Sequence, residues 1–125
     1  MANVASGYLY VASVLRTLSM AEWAYEKGYF EMTAACARKL AEMYVKICLE
    51  GMDVEVWDLN DGLQQLPEST WHMWWALTQA KTLGNAAAHP RLMAMTREAG
   101  LKAMSAAVHI ADAFMSRARA PRARL

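Results

Sequence analysis

The stretch "YFEMTAACARKLAEMYVKICLEG", residues 29–51, decides the fold class. Tyr29, Met32, Cys36, Leu40, Met43 and Ile47 recur every three or four residues, the spacing of one face of an α-helix. The other face carries Glu31, Arg38, Lys39, Glu42 and Lys46, and Glu42 precedes Lys46 at the i, i+4 spacing that contributes about 0.3 kcal/mol on an exposed helix. Gly51 stands where a helix C-terminal cap is expected. An amphipathic helix over about 29–50 needs other elements to cover its apolar face.

The flanking sequence supplies them at the same period. Upstream, over about residues 3–26, Val4, Tyr8, Val11, Leu15, Leu18 and Tyr25 form a second stripe, which Gly28 breaks. Downstream, "MDVEVWDLNDGLQQL" mixes acids and turn formers and reads as a connection with room for one short helix. Pro67 and Ser69 then announce a third long helix, "TWHMWWALTQAKTLGNAAAH", running to about residue 88. After Pro90, Thr96 is a good N-cap for a fourth, in which Leu101, Met104, Val108, Ala111 and Met115 repeat at three-four spacing. With no convincing strand, the architecture expected is all-α: an antiparallel four-helix bundle with one short extra helix between the second and third.

Composition bounds the rest. The chain has 125 residues, 56% of them hydrophobic, with ten methionines, five tryptophans and three prolines, which fits one folded domain and excludes a disordered chain. Arg16, Glu22, Glu26 and Lys46 interrupt the apolar runs, so no membrane span is expected. The apolar N-terminus lacks a basic leader and a cleavage site, and a cytoplasmic protein is the expectation. Cys36 and Cys48, about 18 Å apart along one helix, are too far for a disulfide and read as reduced core thiols.

The net charge of +1 conceals an uneven distribution. Between Glu50 and Glu68 lie Asp53, Glu55, Asp58 and Asp61 with no Lys or Arg, whereas the end carries Arg117, Arg119, Arg122 and Arg124. A single helical domain is therefore expected over 1–116, with a basic, solvated tail over 117–125.

Few residues carry chemistry. His72, His89 and His109 lack a partner at metal-ligand spacing, and no phosphate-binding glycine loop or nucleophile elbow occurs, so neither a metal nor a cofactor is expected. His109, with Asp112 three residues on, reads as half-buried and satisfied locally; His72 reads as packing. Trp71, Trp74 and Trp75 cover more than one face, so one indole is expected to meet a partner element or second subunit, although a core anchor is the commoner role. Those tryptophans and Arg91 are the candidate binding residues.

On a continuing helix, Lys81, Asn85 and His89 make one polar stripe, with space left by Ala86, Ala87 and Ala88. A cation, an amide and an imidazole facing one phosphate could cleave RNA: the imidazole exchanges a proton with a ribose 2′-hydroxyl or the leaving 5′-oxygen, and the cation stabilises the phosphorane. The same residues also make an ordinary helix end, with asparagine and histidine favoured near a C-terminus and Pro90 stopping the helix.

The run "LGNAAAHP", preceded by residues 29–53 and followed by "MTREAGLKAMSAAVHIADAFM", resembles the HEPN superfamily, in particular its bacterial domain-of-unknown-function branch with a Gly-Asn-x-x-Ala-His-Pro signature. The resemblance covers about residues 28–116. It implies an all-α bundle that forms a homodimer, the motif helices of two subunits lining a shared cleft. In active members that cleft is a metal-independent endoribonuclease carrying Arg-x-x-x-x-His. Here Asn85 falls on the polar position after the arginine, His89 on the histidine and Gly84 on the arginine itself.

Loss of a charged group that stabilises a transition state commonly costs roughly 10² to 10³ in rate, and Lys81 as a point charge is no substitute for a guanidinium. The favoured function is therefore a non-catalytic binding module of the kind associated with prokaryotic defence, toxin–antitoxin or phage-conflict systems. The alternative is a metal-independent endoribonuclease or RNA-binding toxin, with His89 as acid/base, Asn85 orienting the substrate, and Lys81, Arg91 or the tail supplying the cation. A purely structural helical protein needs no site at all.

Overall fold

The computed structural model describes residues 2–50, 52, 58–89 and 94–119, with side chains over 10–50, 52, 58–89 and 94–117. Its helices are α1 (Ala2–Lys27), α2 (Phe30–Leu49), the short α3 (Leu59–Gln64), α4 (Trp74–Ala88), entered through a 3-10 turn over Glu68–Met73, and α5 (Arg97–Arg119). The described residues hold no strand. The expected four long helices with a short extra one are present, and α5 continues through Arg119, past the expected start of the tail. Asp53, Glu55, Gly51, Arg91, Arg122 and Arg124 lie outside the described residues. No described helix is long and apolar enough to cross a membrane.

Local chemistry sets the boundaries. Gly28 takes φ +81, the left-handed conformation only glycine adopts without strain, and its N–H donates to the Tyr25 carbonyl at 3.1 Å while the Tyr29 N–H donates to Ala24 at 2.8 Å. That double bond closes α1 and turns the chain straight into α2. Asp58 caps α3 by accepting from the Asp61 N–H at 2.8 Å, and Thr96 caps α5 by accepting from the Ala99 N–H at 3.1 Å. Ahead of α4, the Thr70 hydroxyl donates to the Pro67 carbonyl at 2.7 Å.

The central helix is α2, which packs on α1, α4 and α5. Since α5 also contacts α1 and α4, the α2–α5 pair separates α1 from α4 and leaves those two on opposite flanks. The N-terminal end of α2 meets the chain beyond α4: Glu31 Oε2 accepts from the Met95 N–H at 2.6 Å, and Phe30 lies against Gly100. Together with the packing of Arg38 on Gly84, this runs α2 and α4 antiparallel.

Alanines set how close the helices come. Ala34, Ala37, Ala41, Ala76, Ala80, Ala103, Ala106 and Ala107 are all nearly inaccessible, with Leu40, Leu77, Met73 and Ile110 as the large fully buried residues. Each of those large side chains contributes about 1.5–3 kcal/mol by burial. Thr33, also fully buried, shares its hydroxyl proton between the Tyr29 carbonyl at 3.3 Å and the Ala21 carbonyl of α1 at 3.4 Å.

The sequence stripes are buried in part, with Cys36, Leu40, Met104 and Ala111 inside. Leu15, Tyr29, Met32, Leu101 and Val108, each expected inside, are exposed. Val14, Ala21, Ala24, Ala37, Ala103, Ala107 and Ile110 take the interior instead, because small residues permit a closer helix contact than the larger neighbours would. On the supposed wet face of α2, Glu31 is tied to Met95 and Arg38 lies over α4, pairing with Glu42 at 3.0 Å in place of the expected Glu42–Lys46 pair. Cys36 and Cys48 are buried free thiols, as expected.

Candidate functional site

Position 84, where the resemblance expects an arginine, faces inward. Gly84 is buried on the side of α4 that meets α2, and a Cβ there would run into Arg38 Cβ, with Arg38 Cδ at 2.8 Å and Cγ at 3.0 Å. A side chain at this position would have to displace Arg38 and the part of α2 that carries it. The aliphatic stem of Arg38 packs there, its guanidinium held by Glu42 at 3.0 Å while its Nε is buried without a hydrogen-bond partner.

The polar stripe is also divided. Lys81 turns to α3, its Nζ donating to Asn60 Oδ1 at 3.0 Å. Asn85 is exposed. His89 is not helical: it is the C-cap of α4 with φ −96 and ψ 142, its backbone N–H donating to Ala86, the extended conformation favoured before a proline. It too is exposed, and neither its side chain nor that of Asn85 has a hydrogen-bond partner among the described residues. The helix ends one residue before the i, i+4 register would have placed His89 beside Asn85.

The tryptophans are arranged differently from core anchors. Trp71, Trp74 and Trp75 are 58%, 45% and 48% exposed, while Met73, Ala76 and Leu77 fill the core between them. Trp71 and Trp74, three residues apart across the end of the 3-10 turn, project to one side. Trp75 turns toward α5, where its ring lies 5.0 Å from that of His109. His109 is thus an exposed residue against an indole, with no hydrogen bond to Asp112 among the described residues, and His72 is exposed rather than packed. Glu68, three residues before Trp71 in the 3-10 turn, is also exposed.

Burial raises both thiols above their ordinary value of 9.0 and, with the neighbouring Cys48, pushes the Tyr44 hydroxyl up to about 12. These groups are neutral core members at physiological pH. Among the described residues no three His, Cys, Asp or Glu side chains converge as a metal site would require.

Two features were not legible from spacing. The packing of Arg38 on Gly84 had one signal, the glycine in the interior of a helix, which often marks a close approach of another element. The second is an apolar face on α1 and the start of α2, with Leu15, Met20, Trp23 and Met32 about half exposed. The near-continuous apolar character of α1 was its only trace in the sequence. No family model matches the chain, and no curated protein or solved structure matches it either.

Proposed function

We propose that the chain is a non-catalytic, HEPN-like helical binding module that acts as a homodimer in the cytoplasm, in a prokaryotic defence, toxin–antitoxin or phage-conflict setting. The observation that carries this reading is the solvent exposure of Trp71, Trp74 and Trp75 together on one end of α4. Indoles are the commonest anchors of protein interfaces, and three of them at the surface of a small domain offer more apolar area than solubility favours. The exposed carboxylate of Glu68, three residues before Trp71, suits a partner with a basic rim around an apolar centre.

The packing of Arg38 on Gly84 supports the same view, since an arginine at 84 would have to displace α2. Lys81 is occupied by Asn60. A ribonuclease or RNA-binding role keeps one favourable observation: Asn85 and His89 are both open to solvent, where a phosphodiester could approach them.

The test is capture from a lysate of the producing cells by immobilised wild-type chain and by a Trp71→Ala/Trp74→Ala/Trp75→Ala variant with unchanged helical content. A protein retained by the wild type, lost with the variant and released by added salt is the expected result. Equal retention by both chains would remove the tryptophan surface from the function.

A further inference from the structure

On the flank opposite α4, α1 and α2 form a second exposed surface whose apolar and charged parts are separated along its length. The two helices run antiparallel from the turn at Gly28, with the Thr33 hydroxyl of α2 level with the Ala21 carbonyl of α1. Between them lies a shallow groove lined by Leu15, Arg16, Ser19, Met20, Trp23 and Met32. Trp23 and Met32 mark the end near the turn. Arg16 is seven residues, or two turns, back along α1 from Trp23, and Lys39 is seven residues forward along α2 from Met32. Because the helices are antiparallel, both steps lead the same way, and the two cations stand level with each other about 10 Å beyond the Trp23–Met32 end. Lys46, seven residues further, continues the line along α2.

We propose that this groove docks an acidic amphipathic helix of another protein, with its apolar side chains at the Trp23 end and its carboxylates between Arg16 and Lys39. The site is separate from the tryptophan surface of α4 and does not depend on it. Its charges, its apolar lining and its spacing support it.

The cations are available. Arg16, Lys39 and Lys46 are exposed; Arg16 has only a long contact, 3.5 Å, with Ser13 Oγ, and neither lysine has an ion pair among the described residues. Lys39 stands on the α1 side of α2, since its charge reaches the Cys36 thiol, which packs with Ala21 of α1. The carboxylates of the same stretch are turned elsewhere. Glu31 holds the Met95 N–H, and Glu42 pairs with Arg38, which lies on α4. Glu22 is on the side of α1 that carries Leu18 and Tyr25, which pack toward Met104 of α5. Glu26 and Lys27 border the tryptophan end as neighbouring opposite charges.

The apolar end suits aliphatic side chains. Met20, Trp23 and Met32 are each about half exposed, and methionines adapt to an incoming side chain. Trp23 and Tyr29 meet edge to face with ring centroids 5.6 Å apart, so they offer no pair of parallel rings on which successive bases of a nucleic acid would stack. The spacing is helical as well. A furrow between two antiparallel helices takes a third along its length, and side chains at i and i+7 of that helix are separated by the same two turns that separate Trp23 from Arg16. A partner with leucine-like residues at i and i+4 and acids from i+7 onward meets both halves of the groove at once.

A synthetic probe tests the site: a fluorescein-labelled peptide of about 18 residues, bridged to stay helical, with leucines at i and i+4 and glutamates at i+7, i+11 and i+14 of one face. Fluorescence polarisation is expected to show micromolar binding to the wild type that high salt weakens. Arg16→Glu, Lys39→Glu and Trp23→Ala, all at exposed positions, are each expected to weaken it about tenfold or more. The Trp71→Ala/Trp74→Ala/Trp75→Ala variant should bind as the wild type does. A peptide with lysines in place of the glutamates should bind the Arg16→Glu/Lys39→Glu chain more tightly than it binds the wild type, a gain that misfolding could not produce. No binding by the wild type, equal binding by the charge variants, or loss of binding only in the α4 tryptophan variant would each overturn the proposal. So would a wild type that ignores the peptide but sediments with phosphatidylserine vesicles, or retains single-stranded RNA, through Arg16 and Lys39; either result would assign the face to a lipid surface or a nucleic acid.

Discussion

Replacing Gly84 by alanine sets two known effects against each other, and the packing of Arg38 decides which prevails. In an isolated helix the change gains about 1 kcal/mol, the propensity difference between the two residues. Here the new methyl group meets Arg38 Cβ, with Cδ at 2.8 Å and Cγ at 3.0 Å, where carbon atoms prefer about 3.5–4.0 Å. The outer stem can swing aside, but Cβ is fixed to the α2 backbone. Relief therefore requires α2 and α4 to part by about 1 Å along a seam that includes Leu40, Ala41, Leu77 and Ala80, all buried.

Overpacking of this kind costs about 1–3 kcal/mol, and a clash with an atom on the main chain belongs at the upper end. The net expectation is destabilisation by about 1–2 kcal/mol, a fall in melting temperature of about 5 °C for a domain of this size. Thermal and urea unfolding of the variant measure it. The same substitution in two further backgrounds isolates the cause. With Arg38→Ala the Cβ remains and Gly84→Ala should still destabilise; with Arg38→Gly it should stabilise by about the propensity gain. If Gly84→Ala raises stability with Arg38 in place, α4 does not pack on α2 as described, and the inward direction of position 84 loses its support.

Three further outcomes are expected. Thr96→Ala removes the cap that accepts the Ala99 N–H and should cost about 1 kcal/mol, measured by urea unfolding; no change would mean that α5 starts elsewhere. The buried thiols and Tyr44 hydroxyl keep their protons in the fold to higher pH than in the unfolded chain, so above the ordinary thiol value of 9.0 the unfolded state binds fewer protons and stability should fall as pH rises toward about 12; rising stability over that range in unfolding titrations would contradict their burial. Alkylation of Cys36 and Cys48 should be slow in the folded chain and fast in urea, followed by mass spectrometry; equal rates would contradict it too.

The sequence carried the helices better than it carried their orientation. Backbone-encoded signals read true: Gly28 at the α1–α2 turn, Thr96 at the start of α5, and a short helix in the acidic connection. The rotational phase read true only in part: Cys36, Leu40, Met104 and Ala111 are buried, but Leu15, Leu101 and Val108 are exposed and alanines take much of the interior. Hydrophobic weighting undervalues alanine, yet Ala37, Ala41, Ala103 and Ala107 are fully buried in α2 and α5.

At the candidate site, the sequence favoured a core anchor for the tryptophans with one indole meeting a partner, whereas all three are about half exposed. The Lys81–Asn85–His89 stripe assumed a helix continuing through residue 89, and the pre-proline restriction ended it at Ala88. Arg38 reaches α4 through tertiary packing alone, and its spacing in α2 gave no sign of it.

Whether the chain cleaves RNA bears most directly on its function. Purified wild-type protein and a His89→Ala variant of equal helical content are incubated with labelled structured and single-stranded RNA in the presence of a chelator. With position 84 closed against α2 and Lys81 engaged by Asn60, both proteins are expected to leave the RNA intact. Cleavage by the wild type that His89→Ala abolishes would contradict a non-catalytic module and make the end of α4 an active site.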